Sequence, residues 1–254
     1  MKALFFDLDD TLLNSENIIS ERNRKAIIQC KNQGMLIGYI TARSPRKMKL
    51  FLNELPCDCI ANYNGAIIYA GGNLIAQNII PYSEAINFIE RVLQEAPNIN
   101  MSYYCEPYCF RENKLINTVT NEILGGSMNT LPQSDFQRIR IVLNGYEQIA
   151  FEQYASQSMR YQVSIHNTAI ITSNGATKEN ALKLLMHYYN ISADNVISFG
   201  DDTNDIGMIK ASGIGVAMGN ALQEVKKVAD YITLSNNDDG VAEYIKKFIL
   251  VADD

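Results

Sequence analysis

The chain alternates short apolar runs with segments in which apolar residues recur every three or four positions. Short apolar runs are typical of buried parallel strands, and the longer repeat is typical of amphipathic helices. In the first third of the chain this pattern predicts three strands, two helices and a small glycine-rich hairpin. They are strands Ala3–Leu8, Met35–Ile40 and Cys57–Ala61, helices Glu21–Asn32 and Ser44 to about Glu54, and a hairpin around Gly65, Gly71 and Gly72.

The pattern changes near Pro81 and changes back at Thr177. Between these points we predict a separate layer of helices and paired strands. Its elements are helix Tyr82–Glu95, paired strands within Asn100–Arg111, strand Ile139–Leu143, helix Glu147–Ser156, and strand Tyr161–His166 paired with Ala169–Thr172. Turn-forming residues at Pro81 and at Asn174-Gly175 mark both ends of this layer, and they predict hinges there.

From Thr177 onward strands and helices alternate again. The predicted elements are helices Lys178–Tyr189, Asn204–Lys210, Leu222–Val228 and Gly240–Phe248, and strands Val196–Phe199, Ile214–Met218 and Tyr231–Leu234. Alternation at this spacing indicates right-handed strand–helix–strand units and a parallel sheet. We therefore predict an α/β protein with a parallel-sheet core, residues 1–81 and 175–254, and a second α/β domain, residues 82–174, inserted into it.

Composition narrows the class of partner. The 254 residues are 47% hydrophobic and 20% charged, which is ordinary for a globular protein. With 22 basic and 28 acidic residues the net charge is −6, so nucleic acid is not an expected partner. No apolar run reaches the ~20 residues that span a bilayer, and three acids fall within the first ten residues. We expect a cytoplasmic protein that does not bind membranes, in which an anionic substrate needs local positive charge.

The cysteines do not indicate a metal site. They are Cys30, Cys57, Cys59, Cys105 and Cys109. Cys57 and Cys59 are too close for the usual zinc spacing, and only His166 and His187 offer imidazole ligands. Reduced thiols are the expectation for a cytoplasmic chain.

Two carboxylates close the first strand. Asp7 and Asp9 are two positions apart, so they project to the same side if the extended form persists. The carboxyl end of a parallel strand is where open α/β sheets bind ligands. Two close carboxylates repel each other unless a cation or a shared proton compensates. The alternative is a solvated acidic turn or a helix cap.

Asp201 follows a later strand in the same way, and Asp205 comes four residues on. Asp7, Asp9, Asp201 and Asp205 could then crowd four carboxylates into one crevice. Mg²⁺ prefers oxygen ligands and would make this arrangement tolerable. Asp205 alone could equally be a first-turn acid that interacts with a helix dipole.

Cation and anion sites are predicted at two helix starts. Thr41 and Ala42 lie on a strand-to-helix turn, where free backbone N–H groups, the positive end of the dipole and a hydroxyl can bind phosphate. Capping by Ser44, followed by Pro45, is compatible with this. Lys178 lies in a first helical turn, where a cation opposes the dipole by roughly 0.3–1 kcal/mol. Pairing with a carboxylate or phosphate would compensate, and a solvated surface lysine is the alternative.

These pieces, in this order, resemble one family. DLDDTLL at residues 7–13, ITAR at 40–43, Lys178 and GDDTNDIGM at 200–208 are similar to the haloacid dehalogenase-like phosphohydrolases. The long insertion resembles the α/β cap of the Cof-type branch, class IIB, as do residues 62–66, 215–221 and 238–242. Asp10 and Ala42 stand where glycine is common in the family. The resemblance implies a Rossmann-like parallel-sheet core with an inserted α/β cap.

The resemblance also implies roles for the site residues. Asp7 matches the nucleophile that forms an aspartyl-phosphate, and Asp9 matches the general acid that then becomes the base. Thr41, Ala42, Lys178 and Asn204 match substrate-binding positions. Asp7, the Asp9 carbonyl and Asp201 match Mg²⁺ ligands, supported by Asp205. For Asn204, and for Asn220 on a later turn, structural capping remains an alternative.

The implied activity is a Mg²⁺-dependent phosphatase acting on a small phosphorylated metabolite, of the sugar-phosphate or flavin mononucleotide type. A phosphomutase would share the first step of this reaction. A receiver-like module and a catalytically inactive binding protein are also compatible with some of these residues. The insertion is expected to select the substrate. Its candidate contacts are Tyr103, Tyr104, Glu106, Arg111, Arg138 and Arg140. The oligomeric state, monomer or dimer, stays open.

Overall fold

The computed structural model describes residues 1–112, 114–120, 122–125, 132–164 and 167–250. The chain divides into two compact units. Met1–Ala76 and Thr177–Asp254 form the first, here called the core unit, and Gln77–Ala176 form the second, called the insert unit. Among the described residues, no helix has both the length and the apolar character needed to cross a membrane.

Fifteen strands and seven α-helices are present in the described residues. The strands are β1 Ala3–Phe6, β2 Leu36–Ile40, β3 Cys59–Asn62, β4 Ile67–Ala70, β5 Asn73–Gln77, β6 Asn100–Cys105, β7 Tyr108–Arg111, β8 Lys114–Asn117, β9 Ile123–Gly125, β10 Arg138–Val142, β11 Met159–Ser164, β12 Thr168–Ser173, β13 Val196–Gly200, β14 Ile214–Ala217 and β15 Tyr231–Ile232. The helices are α1 Glu21–Asn32, α2 Pro45–Leu52, α3 Tyr82–Glu95, α4 Lys178–Tyr188, α5 Ile206–Ala211, α6 Gln223–Lys226 and α7 Gly240–Phe248.

The core unit is built on one sheet with the strand order β15-β14-β13-β1-β2-β3-β4-β5. Strands β15 to β3 in this order pair in parallel, and β4 turns back antiparallel to β3. Strand β1 is buried along its whole length, as its apolar run predicts. Leu4 and Phe6 pack in a cluster that includes Ile27 of α1 and Ile245 of α7. The other two residues of β1 lie in a second apolar cluster, together with residues of α4. The predicted α/β class is confirmed.

Helix starts in the core unit follow the predicted signals. Ser44 lies before Pro45 of α2, and its side chain accepts a hydrogen bond from Lys47 N. The Thr177 hydroxyl accepts from Asn180 N at 3.1 Å at the start of α4. These caps satisfy donors that have no partner inside the helix. Two predicted elements before α7 are shorter in the structure. The helix predicted over Leu222–Val228 is α6, which spans four residues, and the strand predicted over Tyr231–Leu234 is β15, which spans two.

The insert unit is an antiparallel sheet of seven strands in the order β11-β12-β10-β6-β7-β8-β9. Helix α3 contributes Phe88, Ile89 and Val92 to a cluster with apolar residues from the strands, among them Ile139 and Ile171. Tyr103 lies in this cluster too, so its prediction as a substrate contact is wrong. Its ring is stacked on that of Phe110 and belongs to the core.

The insert unit differs from the sequence-based predictions in three further ways. The predicted helix Glu147–Ser156 is wrong, because only a short turn at Phe151–Tyr154 is helical. Gly145 has a φ of +84°, and the Glu147 carboxylate folds back to accept from its N–H. Strands β8 and β9 were not predicted. The strand predicted over Tyr161–His166 is β11, and His166 lies outside the described residues.

Candidate active site

Three neighbouring strands end at the same edge of the core sheet. Parallel strand β1 lies between β13 and β2, and Asp7, Asp201 and Thr41 follow these three strands directly. Asp7 N continues the ladder by donating to Phe199 O at 3.0 Å. Thr41 N donates to Ala61 O at 2.9 Å on the other side. The topology therefore brings side chains from distant parts of the chain to one place.

Lys178 joins two of these carboxylates. As the first residue of α4 it is only 1% exposed, and its Nζ lies 2.7 Å from Oδ1 of Asp7 and 2.7 Å from Oδ1 of Asp205. A buried ammonium is tolerated only when it is paired and hydrogen-bonded. The alternative of a solvated lysine is therefore wrong for this position. The dipole cost of a cation at a helix start is offset by two carboxylates.

The carboxylates of this cluster outnumber its cations, and the pKa shifts show that this excess of negative charge is unfavourable. Burial opposes the charged form of Lys178, but Asp205 and Asp7 together outweigh it and raise its pKa above the ordinary value. Burial also raises the pKa of Asp7 well above its usual range; Lys178 opposes that shift, while Asp205 and Asp201 add to it. One ammonium thus faces three carboxylates, and the cluster can accept further positive charge.

Asp201 and Asp205 are held by short-range contacts at the end of β13. The Thr11 hydroxyl donates to Asp201 Oδ1 at 2.7 Å, and Asp205 Oδ2 accepts from the N–H groups of Asp201 and Asp202 at 3.1 Å each. Burial, followed by the charge of Asp205, raises the pKa of Asp201 to about 7. Gly200 permits this turn, because a Cβ there would lie 2.5 Å from Asp205 Cβ.

Three of the four predicted carboxylates could hold a metal ion. One oxygen each of Asp7, Asp201 and Asp205 lies within 4.8 Å of the others. An all-oxygen set with excess negative charge fits Mg²⁺, which takes carboxylate and water ligands. This is the only such group among the described residues, so neither the cysteines nor His187 form part of one. Within the described residues the five cysteines are free thiols.

Asp9 contacts a different cation. Strand β1 ends at Phe6, and the chain then turns, with Asp10 in the left-handed region at a φ of +57°. Arg43 Nε lies 3.0 Å from each Asp9 oxygen, and its Nη2 lies 2.5 Å from Oδ1. Asp7 and Asp9 were expected to project to one side if the extended form persists, and this condition is not met, because the chain forms a helical turn over Leu8–Leu12. The Asp9 carboxylate is 47% exposed and is not part of the metal-binding group.

The turn after β2 is tightly tied to its neighbour. The Thr41 hydroxyl accepts from Arg43 N at 3.1 Å, which leaves its own hydrogen free to donate. Thr41 O accepts from Asn64 N at 2.9 Å, and Arg43 O accepts from Tyr63 N at 3.1 Å. Thr41 is fully buried, and Ala42 beside it is half-buried. The turn therefore presents a fixed hydroxyl at the edge of the sheet.

Two asparagines, each predicted either to bind ligand or to cap a turn, are held by other loops. Asn204 Nδ2 donates to Asn64 Oδ1 at 3.3 Å, so the structure ties its amide to the turn beside β3. Asn220 Nδ2 donates to Asp10 O at 2.7 Å, and its Oδ1 accepts from Asn236 N at 2.9 Å. For Asn220 these bonds favour capping, since both ends of its amide brace loops.

Sequence reasoning missed three residues that contact the predicted ones. They are Thr11 on Asp201, Arg43 on Asp9 and Asn64 on Asn204. Each stands inside a segment that carried the family resemblance, at residues 7–13, 40–43 and 62–66. Their membership of those segments was the available signal, but their partners are distant in sequence.

Comparison with known proteins agrees with this geometry. Residues 4–245 match the family model described as haloacid dehalogenase-like hydrolase. The chain belongs to the haloacid dehalogenase-like hydrolases. The predicted family is confirmed, and the match spans both parts of the core unit and the insert unit between them.

Relatives of this hydrolase extend over nearly its whole length. A protein of Haemophilus influenzae provisionally named a phosphatase is 31% identical and covers 95% of each chain. The 5-amino-6-(5-phospho-D-ribitylamino)uracil phosphatase YwtE of Bacillus subtilis is 27% identical over 98% of each. A haloacid dehalogenase-like hydrolase structure from Bacteroides thetaiotaomicron has a TM-score of 0.81 at 28% identity, covering 98% and 99% of the two chains. The protein is accordingly a phosphoric monoester hydrolase.

Proposed function

We propose that this hydrolase is a Mg²⁺-dependent phosphatase that cleaves small phosphorylated metabolites through an aspartyl-phosphate on Asp7. The observation that carries the proposal is the Asp7 carboxylate held 2.7 Å from the buried ammonium of Lys178, at the edge where β1 ends. In this proposal the core unit performs the chemistry, and the inserted domain, residues 82–174, is the cap that selects the substrate.

The first step transfers the phosphoryl group to the protein. An oxygen of Asp7 forms a bond to phosphorus while the bond from phosphorus to the leaving oxygen breaks. Lys178 and the Thr41 hydroxyl bind the equatorial oxygens, whose charge has to be neutralised in this loose transition state. Asp9 donates a proton to the leaving oxygen, so the product leaves as a neutral alcohol.

The second step returns the nucleophile. Asp9, now a carboxylate, takes a proton from water, and the water oxygen attacks phosphorus. The bond between phosphorus and the Asp7 oxygen breaks, inorganic phosphate leaves, and the Asp7 carboxylate is restored. Because the hydrolysis is divided into two displacements, Asp9 can serve as the acid in the first step and as the base in the second.

Two features of the site bear on this cycle. Asp7, Asp201 and Asp205 would hold the Mg²⁺, which when bound supplies positive charge to the phosphoryl oxygens. Arg43 occupies both oxygens of Asp9 in this structure. Substrate binding therefore has to separate the Asp9–Arg43 ion pair before Asp9 can reach a leaving oxygen.

The name of one relative supports the substrate class that we propose. YwtE is named for a substrate that carries its phosphate on a ribityl chain. A terminal phosphate on a sugar or sugar-alcohol chain is the type of ester that we propose for this protein, which includes sugar phosphates and flavin mononucleotide.

The test uses the full-length protein with p-nitrophenyl phosphate and Mg²⁺, followed by a panel of sugar phosphates and flavin mononucleotide. We expect release of inorganic phosphate, and mass spectrometry of acid-quenched protein should find one phosphoryl group on Asp7. An active protein that is never phosphorylated at Asp7 would contradict the mechanism. An isomerised sugar phosphate as the main product would identify a phosphomutase instead.

A further inference from the structure

The turn that carries Asp9 contains a strained residue. Residues Leu8–Leu12 form one irregular helical turn after β1, and inside it Asp10 lies in the left-handed region with a φ of +57° and a ψ of 7°. Residues other than glycine are uncommon there, although aspartate tolerates this region better than most. Such a conformation persists only where neighbouring groups fix it. The groups that fix Asp10 therefore also determine where Asp9, the residue before it, lies.

Asn220 holds the main chain of Asp10. Its Nδ2 donates to Asp10 O at 2.7 Å, and its Oδ1 accepts from the N–H of Asn236 at 2.9 Å. One partner is a carbonyl and the other is an N–H group, so the amide fits in one orientation only. Asn220 thus connects the turn after β1 to the loop after β15. The contact uses the carbonyl of Asp10 and does not involve its side chain.

Asn236 anchors the same turn at its other end. It is 4% exposed, and its Nδ2 donates to Leu13 O at 2.9 Å. Leu13 N in turn donates to Leu8 O at 2.8 Å and closes the turn. The two asparagines therefore hold the turn by two of its carbonyl groups, and Asn220 holds the one that is nearer to Asp9.

The loop that carries Asn220 is itself fixed to its neighbours. Gly219 N donates to Leu234 O at 2.9 Å, and Leu222 N donates to Asp201 O at 3.0 Å. A Cβ at position 219 would lie 2.7 Å from the main-chain nitrogen of residue 235, so the two loops are packed closely. All of these residues belong to the core unit. The Asn220 amide is thus attached to main chain that is held on both sides, and it can fix the position of its partner.

Two other contacts of the turn do not replace Asn220. The Thr11 hydroxyl donates to Asp201 Oδ1, so it connects the turn to a carboxylate of the proposed metal site. Arg43 holds the Asp9 carboxylate, and this ion pair has to separate in the proposed reaction. After that separation the position of Asp9 depends on the main chain of its turn, which Asn220 holds at the adjacent residue.

We propose that Asn220 is a positioning residue, which places Asp9 for proton transfer by fixing the left-handed Asp10. The inference rests on the proposed function, in which Asp9 gives a proton to the leaving oxygen and then takes one from water. A general acid or base works only within hydrogen-bond distance of its partner, so a small displacement of the turn slows the reaction. Asn220 acts on the reaction only through Asp9.

The experiment compares two esters that differ in their need for an acid. Phenolate is a poor leaving group and gains from protonation, whereas 2,4-dinitrophenolate leaves without it. Full-length protein in Mg²⁺ is mixed with phenyl phosphate or 2,4-dinitrophenyl phosphate under single-turnover conditions, and release of the phenol measures the first step. We expect Asn220→Ala to slow this step about tenfold or more on phenyl phosphate and less than about twofold on 2,4-dinitrophenyl phosphate.

The second step supplies an independent readout, because Asp9 then acts on water whichever ester was used. After 2,4-dinitrophenyl phosphate is exhausted, phosphorylated Asp7 should decay about tenfold more slowly in Asn220→Ala than in the wild type. Mass spectrometry of acid-quenched samples measures this decay. Decay at the wild-type rate would show that Asp9 is correctly placed without Asn220, and it would overturn the proposal.

A second variant and a control separate positioning from stability. Asn220→Asp keeps the shape and an acceptor for the Asn236 N–H but loses the donor to Asp10 O, and at this exposed position its charge stays in water. It should show the same selective loss, and it carries the test if Asn220→Ala does not fold. Asn195→Ala is the matched control. Asn195 is exposed, its Nδ2 donates to Ser192 Oγ at 2.9 Å, and it precedes β13 at the end of that strand remote from the site. The control should match the wild type on both esters.

The remaining outcomes reject the inference or the function beneath it. Equal losses on the two esters, or no loss, would overturn the positioning role. Equal losses with a raised Mg²⁺ requirement would place the effect at Asp201, through Thr11, and would overturn it too. A wild type that releases neither phenol shows that the proposed function fails. Wild-type release from both esters, with no selective loss in either variant, rejects the role of Asn220 alone.

Discussion

The two units of this protein place their charged residues by different rules. In the core unit, charged and polar residues gather where strands end, and Lys178 pairs with Asp7 and Asp205 in a buried cluster. In the insert unit, charged residues such as Arg138 and Arg140 occupy alternate positions along a strand. They share one face of an antiparallel sheet.

This difference explains why one unit carries recognisable motifs and the other does not. A strand end followed by a turn places neighbouring residues in one site, so its chemistry is written in short contiguous segments such as residues 7–13 and 200–208. An alternating face draws single residues from several strands. The pairing register places five basic residues on one face of the insert sheet, and no short segment contains more than two of them. They are Arg111, Lys114, Arg138, Arg140 and Arg160.

The largest expected effect is the loss of catalysis when Asp7 of the buried Asp7–Lys178–Asp205 cluster, here called the core cluster, is replaced. Asp7→Asn keeps the shape of the side chain but removes the nucleophile, so kcat on p-nitrophenyl phosphate should fall by more than about 10³-fold. Asp10→Asn is the matched control, because the Asp10 side chain is exposed and carries no assigned role. Activity of Asp7→Asn near that of the control would reject the nucleophile assignment and leave the cluster with a structural role only.

The next prediction concerns the contribution of the core cluster to the free energy of unfolding. Lys178→Met leaves Asp7 and Asp205 buried without their cation, which should lower the free energy of unfolding by about 3–5 kcal/mol in chelator. Urea denaturation measures this. Lys183→Met on the same helix removes only an exposed pair with Glu179 and should cost less than about 1 kcal/mol. If both variants lose a similar free energy of unfolding, the buried ion pairs of Lys178 stabilise the protein no more than an exposed pair does.

A smaller effect is expected when one of the proposed metal ligands is removed. Chelator should remove the activity and Mg²⁺ should restore it. Asp201→Ala should raise the Mg²⁺ concentration for half-maximal activity by about tenfold or more, because one of three charged ligands is lost. Asp194→Ala, at an exposed position before β13, serves as the control. Full activity in excess chelator would show that the three carboxylates work without a metal.

The smallest effect on catalysis is expected when the inserted domain is removed from the core unit. Replacing residues 82–174 by a short Gly/Ser linker should leave a folded core, because β1, β2 and β13 all belong to the core unit. Its kcat/KM on p-nitrophenyl phosphate should stay within about tenfold of the wild type, while discrimination among metabolites is lost. Circular dichroism and a metabolite panel measure these two outcomes. A truncated protein without a cooperative thermal transition would show that the core depends on the insert.

Local sequence was enough to predict the class of fold and the residues of the core site that stand at strand ends. Apolar runs such as Ala3–Phe6 follow from burial on both faces of a parallel sheet, and they located the turns that carry Asp7, Thr41 and Asp201. The cap at Ser44 was predictable for the same reason, since it depends on residues within one helical turn. The helix expected at Glu147–Ser156 failed because a left-handed glycine and a side chain folded onto it override the local pattern.

Only the tertiary structure decided which charges meet. Thr11 and Asp201 are 190 positions apart, and Arg43 and Asp9 are 34 apart, so no period or spacing along the chain could connect them. In the insert unit, the side of the sheet on which Arg138 and Arg140 lie depends on the register of the strands. A shift of one residue in that register would turn both side chains to the other side. Charge pairing acts through space at a few ångströms, whereas the local pattern records only which residues are buried and where the chain turns.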